Sequence, residues 1–164
     1  MDDLSTTVEE LVRRVERLEA QKSSASPQPE PVFWALNALK DQLDVPGGIV
    51  YAGAVTVASG PVEWQITLAT DDLMERDWTS NAASLAALGH PVRLSLLHAI
   101  LGGATTVGEL SAGEGMGTTG QLYHHLGLLI AAGWLLSGGR GSYSIPAERV
   151  VPLLVILGAS RRIA

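Results

Sequence analysis

Apolar residues recur near the start of the chain at Leu4, Val8, Leu11, Val15 and Leu18, in alternating steps of four and three. The spacing places valine at a and leucine at d of a heptad, the pairing that favours a parallel two-stranded coiled coil. Arg14 at g is within reach of Glu19 at e of a partner helix, and Glu9–Arg13 and Glu10–Arg14 support the outer face at i,i+4. About three heptads make a coil that is marginal alone. The alternative is an amphipathic helix packed on its own chain; the heptad favours the intermolecular role. Residues 1–22 are therefore expected to form a coiled-coil helix and residues 23–31, rich in Ser, Pro and Gln, a linker.

Beyond the linker the period changes. Val32, Leu36, Leu39 and Leu43 form one stripe of a helix over about 32–44, which Pro46-Gly47-Gly48 ends. Residues 49–58 and 61–69 then alternate, which predicts two strands turning at Ser59-Gly60. With Ala58 opposite Pro61, the residues Val57, Val55 and Tyr51 face Val62, Trp64 and Leu68, with Gly53 opposite Ile66. Thr56, Glu63, Gln65 and Thr67 share the other face. A lone hairpin is marginal in water, so this one should pack on the 32–44 helix. Residues 71–80 are polar and acidic. The expected unit is a helix plus β-hairpin module over 32–80.

From residue 81 the pattern is helical again. Asn81–Leu88 predicts one helix, and His90-Pro91 opens a second that Gly102-Gly103 closes. Thr105 or Thr106 caps a short third helix. Thr118 caps a fourth over about 119–132, with Leu122, Leu126, Leu129 and Ile130 inward. Trp134–Ser137 and Ser142–Ile145 are short strands around Gly138-Gly139-Arg140-Gly141. A last helix, about 147–160, is apolar all round and is expected to be buried at an interface; Pro152 sits in its first turn or kinks it. Short helix, turn, longer helix, glycine-tipped hairpin is the order of a winged helix-turn-helix. The fold class expected is mainly α with small β: a winged helix-turn-helix domain over 81–164, preceded by the coiled-coil helix and the hairpin module.

Three segments resemble the ArsR/SmtB family of bacterial winged-helix regulators. Ala87-Leu88-Gly89-His90-Pro91-Val92-Arg93-Leu94 is similar to its LADPTRL segment, and Thr106-Val107-Gly108-Glu109-Leu110 to its VxEL segment. Thr118 to Leu126, with Leu129 and Ala132-Gly133-Trp134-Leu135, resembles SxSxVSxHLxxLxxAGLV. The resemblance covers about 81–160 and implies a homodimer that represses transcription at an operator, pairing through its first and last helices. It also marks two departures. Metal-sensing members carry Cys-Val-Cys where this chain has Thr106, Val107 and Gly108. Others bind zinc through His and Asp on the last helix, and neither occurs between Arg149 and Arg162. No metal and no cofactor are expected.

Composition changes the picture in three ways. Without cysteine, disulfides, thiolate metal sites and cysteine catalysis are excluded. A mean hydropathy of +0.22 suggests apolar surface buried between subunits. The net charge of −6 over 164 residues is uneven: residues 1–80 hold 6 basic and 14 acidic residues, and 81–164 hold 5 and 3. The C-terminal half is thus mildly basic, permissive for phosphate contact. Met1-Asp2-Asp3 has no apolar run behind it and the longest apolar run is too short for a bilayer, so a cytoplasmic protein is expected.

The candidate DNA-contacting residues are Thr118, Thr119, Gln121, Tyr123, His124 and His125 on the fourth helix and Arg140 at the hairpin tip. Arg93 and the Arg161-Arg162 tail are weaker phosphate candidates. The fourth helix carries no Lys or Arg, so the alternative is a degenerate winged fold used for protein contacts. His124 and His125 are adjacent and cannot make an i,i+4 metal pair. Gly115-Met116-Gly117-Thr118-Thr119-Gly120 matches G-x-G-x-x-G but lacks the preceding strand and following acid of a dinucleotide site. Trp34, Tyr51, Trp64 and Trp78 could line a pocket for an apolar effector, or simply form the core of the hairpin module. Leu4, Val8, Leu11, Val15, Leu18, Leu153, Leu154, Ile156 and Leu157 are the expected dimer interface. No nucleophile–base pair, carboxylate pair or phosphate loop stands out, so no enzymatic activity is expected. The partners expected are operator DNA, a second copy of the chain, and an effector or protein.

Overall fold

The computed structural model describes residues 7–8, 10–17, 33–43, 46–113 and 117–161, apart from the side chain of Arg140. Leu4, Leu18, the 23–31 linker and Arg162 lie outside the described residues. The chain is mainly helical, with a long antiparallel hairpin and a second, very short one. It divides into two compact units, Met1–Gln42 and Leu43–Ala164. Among the described residues, no single helix is long and apolar enough to cross a membrane.

The first unit contains α1 (residues 10–17) and α2 (Trp34–Gln42). Val8, Leu11 and Val15 are each more than half exposed, as are Phe33 and Trp34. The three described residues of the heptad seam are thus exposed.

The second unit opens with β1 (Gly48–Val57) and β2 (Gly60–Ala69). Val57 pairs with Gly60, Val55 with Val62, Gly53 with Trp64 and Tyr51 with Ile66. This register is two residues away from the expected one. The turn is Ala58-Ser59, and Gly60, at φ 122°, closes it in a conformation open chiefly to glycine. A slip of two leaves every side chain on its own face. Tyr51, Gly53 and Val55 therefore still share a face with Val62, Trp64 and Ile66, and this face is half-buried while the alternate residues are exposed.

That apolar face packs on the last helix, α8 (Ala147–Ala159). The approach is close at Gly53, where a Cβ would lie 2.9 Å from Cγ1 of Val151. The far end is tied to α5 (Pro91–Leu101) by the amide of Ala58, which donates to the Leu101 carbonyl at 3.0 Å, while the amide of Thr70, which donates to the Gly47 carbonyl, extends the pairing of the two strands at the open end. The hairpin therefore belongs to the same compact unit as the helices that follow it, Leu43–Ala164. Residues 70–81, expected only as a polar stretch, hold α3 (Thr70–Glu75), with Asp71 and Asp72 favourably placed in its first turn, and a 3-10 turn, Trp78–Asn81, capped by Asp77.

The remaining elements are α4 (Ala82–Leu88), α5 (Pro91–Leu101), α6 (Val107–Ser111), α7 (Thr119–Ala131), β3 (Leu136–Ser137) and β4 (Tyr143–Ser144). His90 caps α5 through Nδ1, which accepts from the amide of Val92. The core gathers Leu96 and Leu97 of α5, Leu110 of α6, Leu122 and Leu129 of α7, and Trp134. Ile130, expected inward, is partly exposed. Along α8 the sides separate: Val150 and Leu153 are buried, Ile156 packs against the core, and Val151 meets the hairpin. Leu153 is therefore a core residue and not the interface residue expected; Leu154 and Leu157 are left outward, each 37% exposed. Pro152 lies in the interior of α8, where it leaves the Glu148 carbonyl without an intrahelical donor. Among the described residues of this unit no carboxylate is paired with Arg or Lys; Asp77 and Glu109 accept instead from Thr79 and from Thr105 and Thr106.

Candidate nucleic-acid interface

The α6–α7 pair is set by its own N-termini. Thr106 accepts from the amide of Glu109, and Glu109 accepts in return from the amide of Thr106 at 2.8 Å. At α7 the same box recurs: the Thr118 hydroxyl accepts from the amide of Gln121 at 3.3 Å, and Gln121 Oε1 accepts from the amide of Thr118 at 2.8 Å. Each box satisfies two amide groups that a helix start would otherwise leave bare. These hydrogen bonds hold the Glu109 carboxyl below its ordinary range.

The boxes redistribute the expected contact residues. Thr118 and the Gln121 oxygen are engaged in capping, and only the Gln121 amide nitrogen stays uncommitted. Leu122, Leu126 and Leu129 bury one side of α7. His124 lies on the opposite side and Tyr123 on the flank, and both are exposed, as is Thr119 in the first turn. His125 turns inward: its ring is half-buried, 4.7 Å from the His90 ring and 5.8 Å from that of His124, and its Nδ1 is sealed without a hydrogen-bond partner.

The short β3–β4 hairpin follows directly. Its strands are briefer than expected because β4 is shared: the Tyr143 amide donates to the Thr105 carbonyl at 2.7 Å, and Ser142 bridges Thr106. The hairpin base is thereby anchored at the start of α6. The Gly139–Gly141 turn places the backbone of Arg140 at the tip; its side chain lies outside the described residues.

Two arginines have structural duties. Arg93 donates through Nε to the Ala87 carbonyl and through Nη2 to the Ala86 carbonyl at 2.8 Å, closing the C-terminal end of α4. It is not the free phosphate anchor expected. Arg149 lies 5.0 Å over the Trp134 ring, a cation–π contact. Arg161 remains exposed.

The expected effector pocket is not assembled from its aromatic residues. Tyr51 and Trp64 lie on the half-buried hairpin face, and the Trp64 Nε1 is sealed without a partner. Trp78 is exposed and donates its indole N–H to the Leu73 carbonyl at 2.8 Å. Trp34 belongs to the first unit. Among the described residues no three of His, Cys, Asp or Glu converge on a metal position.

Comparison with family models, curated proteins and solved structures gave no significant match. Function has to be argued from the site.

Burial lowers the affinity of His125 for a proton, and the neighbouring His90, Arg93 and His124 charges act in the same direction. A histidine that holds its proton more weakly when folded supports the fold fully above its ordinary range and loses that support as pH falls through it. The melting temperature should therefore fall between about pH 7.5 and pH 5.5. His125→Leu should flatten that fall. Equal slopes in the two proteins would remove His125 as the cause.

Proposed function

We propose that the chain is a homodimeric DNA-binding transcriptional regulator of the winged helix-turn-helix type, similar to ArsR-like repressors but without their metal ligands. The observation that carries this is the presentation of α7. Its leucine side is locked into the core, its first turn is fixed by a capping box, its polar residues are exposed, and the hairpin that follows it in the chain carries Arg140 at its tip. A helix so held keeps its side chains in register with a groove. Thr119, Tyr123, His124 and the Gln121 amide would meet base edges and backbone, and Arg140 a phosphate or the minor groove. The exposed Val8, Leu11 and Val15 seam would join two copies. Half-sites would then lie about one turn, roughly 34 Å, apart.

With Arg93 and Arg149 engaged internally, few cations are left for phosphates. A shallow salt dependence follows. Titration of the full chain with its own promoter DNA at two salt concentrations should show specific binding that weakens with salt. Arg140→Ala should lower the salt slope of the dimer by about two, one phosphate for each copy. Changing Thr119, Tyr123 and His124 together to alanine should abolish the preference for promoter over unrelated DNA. A second function, protein docking, is favoured by the apolar exposure of Tyr123, Leu128, Ile130 and Leu136 on and beside α7. Absence of specific binding at low salt would decide for it.

A further inference from the structure

The tip of the long hairpin, the end of α5 and the base of the β3–β4 hairpin line a cavity of about 180 Å³ that opens to solvent on one side. Ile100, Leu101, Ile145 and Val150 supply apolar wall, and Ala58 closes one side through its hydrogen bond to Leu101. No charged side chain lines it. Tyr143 also lines the cavity, yet it is only 8% exposed and its hydroxyl makes no hydrogen bond with any described residue. The hydroxyl is therefore available to a group that enters the cavity.

We propose that this cavity is a binding site for a small neutral ring compound carrying one hydroxyl group, of which phenol is the simplest example. Size sets the first limit: an apolar cavity of about 150 Å³ accepts benzene, so this one holds a single ring with a small substituent. Wall chemistry sets the second. A carboxylate or ammonium would lose its hydration and meet no opposite charge, so the ligand is neutral. The Tyr143 hydroxyl sets the third, since it both donates and accepts and would pair with the ligand's own hydroxyl. The site is separate from the aromatic cluster expected from the sequence, and it does not depend on DNA binding.

The test is a titration of the full chain with phenol, toluene and benzoate, followed by backbone amide shifts. Phenol should move the amides of Ser59, Gly103 and Ser144 and leave those of α4 in place. Tyr143→Phe should weaken phenol binding by about 3- to 10-fold and leave toluene binding unchanged. Because the hydroxyl has no partner in the protein, this variant should fold as the parent does, and toluene binding reports whether it has. Benzoate should produce no shifts at these amides. Phenol shifts confined to other parts of the chain, equal phenol affinity in Tyr143→Phe, or benzoate binding as tight as phenol would each overturn the assignment.

Discussion

Replacing Trp134 by alanine is expected to destabilise the second unit by about 3–5 kcal/mol, the range for removing a buried tryptophan from a core. Trp134 is 1% exposed and stands where three helices are tied together. Its amide donates to the Leu129 carbonyl and so ends α7. Its indole N–H donates to the Ser84 carbonyl of α4 at 2.9 Å. Its ring carries the Arg149 guanidinium of α8. Alanine would leave a cavity, strip the Ser84 carbonyl of its donor and release Arg149. A typical domain has only about 5–15 kcal/mol in hand, so most of the stability would go. Trp134→Phe keeps a ring but not the N–H and should cost much less, about 1–2 kcal/mol. Urea unfolding monitored by circular dichroism separates the two. A loss under about 1 kcal/mol in Trp134→Ala would show that the residue is not part of a close-packed core.

The second large effect concerns the joint between hairpin and helix. Gly53→Val should destabilise the protein by about 1–3 kcal/mol, the ordinary cost of overpacking. The added Cβ would stand 2.9 Å and 3.1 Å from the two methyl carbons of Val151, and Val151 is itself buried. The backbones cannot give way easily, since the hairpin is hydrogen-bonded along its length and tied to α5 through Ala58. Val151→Ala makes room at the same point. Each single change should therefore be destabilising, and the double variant should be more stable than the sum of the two predicts, which is the sign of direct contact. Thermal melts of the four proteins measure this. Additive losses would mean that Gly53 and Val151 do not touch.

Local signals in the sequence located most elements of the second unit, and the errors have specific causes. Thr118 as the cap of α7 and Gly102 as the end of α5 were legible because capping has its own residue preferences. The hairpin faces were legible from alternation, but the register was not. Ser59-Gly60 and Ala58-Ser59 are both workable turns, and alternation cannot distinguish slips of two. The phase of α8 was hidden because apolar residues surround it; the hairpin on one side and the helical core on the other decide that Val151 and Leu153 are inside and Leu154 outside. The contact between hairpin and α8 was hidden for the same reason, since nothing local to residues 48–69 announces a partner about a hundred positions later. At the candidate interface, Thr106 with Glu109 and Thr118 with Gln121 both spell the capping box, so the engagement of Gln121 in its own helix is legible from spacing alone. The engagement of Arg93 with the end of α4 depends on a long-range turn of the chain and leaves no such mark.

The lack of ion pairs among the described residues of the second unit has a practical consequence. Its core is apolar, and charges such as Glu109 and Arg93 are held at hydrogen-bond distance by amides and carbonyls, so added salt has few long-range attractions to screen. Ionic strength is therefore a clean experimental variable here: it can be raised to strip a bound polyanion without loosening the scaffold that presents α7. Salt-induced release should be fully reversible on dilution, with no refolding step in between.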